Sequence, residues 1–104
     1  MRYSLSPALA AGILITIAGC SASLYVPADE DASATETRAE LLQGRAIYVE
    51  KCGSCHTLHL PEHFSPTAWE QSLSEMRPRA RITEADSVLI IRYLLAGIRR
   101  ADSR

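Results

Sequence analysis

Cys52-Gly53-Ser54-Cys55-His56 is the stretch around which the rest of the chain is arranged. Two thiols three positions apart, with a histidine directly after the second, are what covalent attachment of a c-type haem requires. Each thiol adds to a vinyl group, and His56 is then set under the iron as proximal ligand. Competing readings are a zinc half-site, a thioredoxin-like redox pair and a plain disulfide. A zinc site needs a second ligand pair, and no cysteine follows Cys55. A thioredoxin-like pair needs an alternating βαβ pattern, which the downstream sequence lacks.

Upstream of the motif, Leu41, Arg45, Tyr48 and Cys52 recur at helical spacing, with Leu42, Ala46 and Val49 on the adjoining stripe. The pattern predicts a helix over about 38–51 that delivers the chain to the two cysteines. Gly44 falls inside it. An interior glycine costs a helix up to about 1 kcal/mol against alanine, so its presence points to a close neighbour.

Downstream, residues 57–66 hold Pro61, Pro66, His59 and His63 and read as a loop. Ser65 then serves as N-cap and Pro66 as first helical residue, where a missing N–H costs nothing; Thr67 with Glu70 is an alternative capping box. Trp69, Leu73 and Met76 share one face, and the helix is expected to stop before Pro78. A last helix starts after Thr83, with Asp86 in its first turn. It carries two apolar stripes, Val88, Ile91, Leu95 and Ile98, and Ile90, Tyr93, Leu94 and Gly97, with Gly97 expected to end it.

Gly44, Tyr48, Cys52, Cys55, His56, Met76 and Tyr93-Leu94, taken in that order, resemble a short monohaem c-type cytochrome of the class I fold, over roughly residues 40–97. The resemblance implies that Gly44 and Tyr48 pack against Tyr93, and that a methionine before the last helix is the sixth iron ligand. Here that residue is Met76, although the two ligands stand closer together than is usual and no proline follows directly. Reach bears on the alternatives. Three residues span at most about 10 Å, too little for His59 to pass round a haem edge. His63 could span about 23 Å only at full stretch. Met76 is therefore preferred, with His63 or an open site as the alternatives. The Arg77-Pro78-Arg79-Ala80-Arg81 run is either a solvated, propionate-pairing loop or a docking site for an acidic partner.

The N-terminal part has a different character. Met1-Arg2 and the apolar run Leu5–Ala18 describe an export signal, shorter than the roughly 20 apolar residues of a spanning helix. Ile17-Ala18-Gly19-Cys20 resembles the lipobox of bacterial lipoproteins, in which Cys20 is acylated and becomes the new N-terminus. Residues 1–19 are then a lipoprotein signal peptide. Ser21 favours the outer over the inner membrane. With Cys20 lipidated and Cys52 and Cys55 as thioethers, no free thiol remains in an oxidising compartment. Residues 20–37 hold Asp29, Glu30, Asp31 and Glu36, no basic residue and no apolar period, and read as a flexible acidic linker.

Composition agrees with a single small domain. The chain has 104 residues and a formal net charge of −1. Residues 38–104 hold ten basic against eight acidic side chains, too slight an excess for nucleic-acid binding, and no aromatic-basic interleaving accompanies it. The expectation is an all-α domain, 38–104, with three principal helices around one covalent haem c. Lipid tethers it to the membrane on the periplasmic side of a bacterial envelope. Its role is to pass single electrons between redox partner proteins without transforming a substrate. A haem sensor or small-ligand binder with an exchangeable sixth site is the alternative.

Overall fold

The computed structural model describes residues 23–104. The expected signal peptide 1–19, Cys20 and the first residues of the expected linker lie outside the described residues. Within them the architecture is all-α, with three principal helices and no strand: α1 (Arg38–Gly53), α2 (Pro66–Ala80) and α3 (Glu84–Asp102). Short 3-10 turns occupy Asp29–Asp31 and Pro61–His63. No described helix is long and apolar enough to cross a membrane.

Each helix begins on a side-chain cap. Thr37 accepts from the Glu40 amide while the Glu40 carboxylate accepts from the Thr37 amide, a closed capping box for α1. Ser65 accepts from the Ala68 amide with Pro66 at the first position of α2. Thr83 accepts from the Asp86 amide at the start of α3.

Helices α1 and α3 form the main packed pair. Their contact is closest at Gly44, where an added Cβ would collide with the Leu89 carbonyl and sit 3.1 Å from the Tyr93 Cβ. The buried stripe of α1 is Leu41, Gly44 and Tyr48, whereas Val49 stays exposed. On α3 the stripe Ile90, Tyr93, Leu94 and Gly97 is buried, and the expected companion stripe is only half covered. Trp69 and Leu73 of α2 and Ile82 complete the core.

Two boundaries differ from the sequence expectation. Helix α2 runs through Pro78, losing the one bond its missing N–H would make. The turn is held by its far end: Arg81 adopts φ 54°, ψ 47°, and the Arg77 carbonyl accepts from both the Arg81 and Ile82 amides. This Schellman-type closure drives Ile82, 6% exposed, into the core. Gly97 does not end α3. It lets Pro61 and the Tyr25 ring approach, each 2.6 Å from where a Cβ would stand.

The larger correction concerns the expected linker. Residues 24–37 lie along α1 and α3 as an N-terminal strap. Tyr25 stacks on Tyr93 at 4.7 Å between ring centroids, and each phenol donates to the other residue's backbone carbonyl, at 2.5 and 3.0 Å. Arg45 and Arg38 of α1 donate to the carbonyls of Tyr25 and Pro27, both at 3.1 Å. Two of the acidic side chains are not solvated. Asp31 and Glu36, 6% and 8% exposed, pair with Arg100 and Arg99 of α3. The composition signalled solvent because the compensating cations lie more than sixty residues away.

Candidate functional site

The cysteine-histidine motif straddles the end of α1. Cys52 sits in the last turn, half-buried against the core, and its carbonyl closes the helix by accepting from the Ser54 and Cys55 amides. Cys55 and His56 lie beyond the end and are exposed. Both thiols are free. Burial pushes the Cys52 thiol up, with the charge of Cys55 acting in the same direction.

His56 has a defined ring orientation. Its Nδ1 is 2.9 Å from the Thr57 carbonyl oxygen, which can only accept, so Nδ1 carries the proton. The other ring nitrogen, Nε2, is left with its lone pair for a metal, the state in which histidine ligates.

Beside Cys52 and His56 opens a cleft of about 170 Å³. Helix α1 contributes Tyr48 to it and the following loop contributes His59 and Phe64. Trp69, Leu73 and Met76 of α2 and Leu94 of α3 form the remaining apolar wall. Met76, the preferred sixth ligand, thus lies in the same cleft as His56; His63 does not line it. Cys55 stands outside the wall on the exposed turn.

The loop over this cleft is held at several points. The Tyr48 hydroxyl donates to the His59 carbonyl at 2.7 Å, and the Trp69 indole N–H to the Pro61 carbonyl at 2.7 Å. Phe64 stands edge-on to both His59 and Trp69, at 5.1 and 5.2 Å between centroids. Burial pushes the Tyr48 phenol up to about 12. His56, His59 and His63 follow one another at 6.1 and 6.4 Å between rings, but among the described residues no set of three or more His, Cys, Asp or Glu side chains converges as a metal site.

Phe64 is the site residue that sequence reasoning passed over. It precedes the Ser65 cap, and its ring meets Trp69 four positions into α2, the contact of a hydrophobic staple. Phe-Ser-Pro-x-x-Trp carried that signal. In the Arg77–Arg81 run, the Arg77 Nε is buried without a hydrogen-bond partner, while Arg79 and Arg81 are exposed.

The donor set suits a haem c: two free thiols, an oriented imidazole and an apolar wall carrying a thioether. The cleft, about 170 Å³, is smaller than cofactor sites usually are, about 300 to 1,000 Å³. Comparison with known proteins found no matching family model, no similar curated protein and no similar solved structure.

Proposed function

We propose that the chain is a membrane-tethered c-type cytochrome that carries single electrons between redox partner proteins in the periplasmic space of a bacterial envelope. The observation that carries this reading is the placement of Cys52-x-x-Cys55-His56 at a helix end beside an apolar cleft, with the His56 Nδ1 proton committed to the Thr57 carbonyl.

Each residue then has a stated task. The Cys52 and Cys55 thiols, both free, would hold a haem covalently as thioethers. His56 would ligate through Nε2, and Met76, which lines the same cleft, would offer its thioether sulfur as the second protein ligand. A haem so held would supply a one-electron ferric/ferrous couple, at a higher potential with thioether than with bis-histidine ligation. Tyr48, Trp69, Leu73 and Leu94 exclude water, which limits the solvent reorganisation that accompanies a change of charge. The reading is of an electron carrier that transforms no substrate. Acylated Cys20 keeps the domain at the outer leaflet of the inner membrane or, as Ser21 favours, at the outer membrane.

A pyridine-haemochrome spectrum of the membrane fraction, followed by a redox titration, tests the reading. The expected result is one thioether-linked haem per chain and a reversible one-electron wave. A chain without covalent haem overturns it, and fast stoichiometric carbon monoxide binding by the ferrous protein replaces it with a ligand sensor. For Met76, the ferric protein should show the near-infrared sulfur-to-iron charge-transfer band, and Met76→Ala should abolish it. An unchanged low-spin spectrum in that variant would reject the ligand assignment.

A further inference from the structure

The N-terminal strap alters how far the domain can stand from a membrane. Residues 20–37 as a flexible chain would allow an r.m.s. reach on the order of 20–25 Å. The strap removes most of that freedom. From Leu24 onward the chain is committed to the domain surface: Leu24 and Tyr25 pack on the core, Pro27 is buried, and Asp31 and Glu36 are ion-paired to the end of α3. Only four residue steps separate Cys20 from Leu24, and four steps span at most about 14 Å.

The strap also selects which end of the molecule looks at the lipid. Ser23, where the described chain begins, borders a surface hollow shared with Gly97, Ala101 and Arg104 at the C-terminal end of α3, and with Pro61 and Glu62. Helix α3 has 19 residues and so is about 28 Å long, which puts its Thr83-capped start at the far end. Pro61 and Glu62 belong to the loop that covers the cleft, so the cleft loop is carried on the end of the molecule from which the anchor leaves.

We infer that the strap is a docking device that seats this domain directly on the lipid surface, with the α3 C-terminus and the cleft loop toward the headgroups. This rests on acylation of Cys20, part of the reading above. A domain so held exchanges electrons with a partner that is itself in or on the same membrane, since its cleft loop is kept within a short chain length of the headgroups.

The test uses the full-length holoprotein, purified from membranes and bound to a supported bilayer of phosphatidylethanolamine and phosphatidylglycerol. Neutron reflectometry should show the protein layer beginning within about 14 Å of the acylated residue, without a resolved water layer. A headgroup-linked photocrosslinker should label residues 97–104 and 60–62 and spare 83–87. Inserting Gly-Ser-Gly-Ser-Gly-Ser between Ala22 and Ser23 leaves the strap intact and should move the layer outward by up to about 20 Å. The triple substitution Tyr25→Ala, Asp31→Ala, Glu36→Ala should move and broaden it without the insertion. A wild-type layer already separated by water, or uniform crosslinking along α3, overturns the seating. Mass spectrometry of the N-terminus separates the two ideas: an unacylated Cys20 removes the tether itself, whereas an acylated protein standing off the bilayer removes only the docked strap.

Discussion

Gly44 stands where two backbones touch, and its value can be weighed. Alanine would gain about 1 kcal/mol of helix propensity. Against that, its methyl would strike the Leu89 carbonyl, a backbone group that cannot rotate away, and crowd Tyr93. Overpacking of this kind costs about 1–3 kcal/mol or more. Gly44→Ala is therefore expected to destabilise the domain by a net of up to about 2 kcal/mol, read as a lowered denaturant midpoint; a midpoint above that of the wild type would mean the helices do not meet there. The sequence showed that something packs closely at Gly44, and the resemblance supplied Tyr93 as the neighbour. Gly97 and Pro78 misled because their local meaning, helix termination, is overruled by contacts distant in sequence. Pro61 and Tyr25 need the space at Gly97, and Ile82 anchors the turn beyond Pro78.

Among the elements, the ends of α2 are the most instructive. Its start was legible in Ser65-Pro66, and the Phe64–Trp69 staple was written beside it. Its finish was not, because Arg81 occupies the left-handed region where glycine is the usual residue. A left-handed non-glycine residue costs about 1 kcal/mol or more. Arg81→Gly should relieve this and raise stability by ~1 kcal/mol, about 4–8 °C in melting temperature for a domain of this size. A lowered melting temperature would show that the Arg81 side chain contributes more than its backbone costs. The capping box of α1 was equally present in Thr37-x-x-Glu40, but Thr37 reads in the sequence as the end of the linker. In the fold Glu40 also accepts from Arg92 at 3.1 Å, tying the start of α1 to α3.

For the molecule as a whole, three phenols form the junction between strap, α1 and α3: Tyr25, Tyr48 and Tyr93. Burial pushes Tyr48 and Tyr93 each up to about 12 and raises Tyr25 as well. The unfolded phenols titrate near 10. Below about pH 10 both states keep their protons and stability is unaffected. Between about 10 and 12 the unfolded chain releases protons that the folded chain retains, so stability falls as pH rises. The denaturant midpoint should be level approaching pH 10 and fall above it, with phenolate absorbance appearing together with unfolding; phenolate formation well ahead of unfolding would mean the junction is open to water. The helical architecture and the cleft's main residues could be read from periodicity and motif. The strap could not, because no local pattern announces an acidic stretch whose partners are on the last helix.

The bonds from Tyr25 to Tyr93, from Asp31 to Arg100 and from Glu36 to Arg99 bridge 63 to 69 positions. Contacts of such separation close the longest loops in the chain and form late, after α1 and α3 have met. A chain that folds as it emerges therefore cannot complete its strap until α3 has emerged to receive it. Asp31→Ala should consequently accelerate unfolding and leave the refolding rate nearly unchanged in stopped-flow measurements, the pattern of an interaction absent from the transition state. Slowed refolding would place the strap early. On this account the docked N-terminus acts as a latch, and folding is finished only when α3 arrives to receive it.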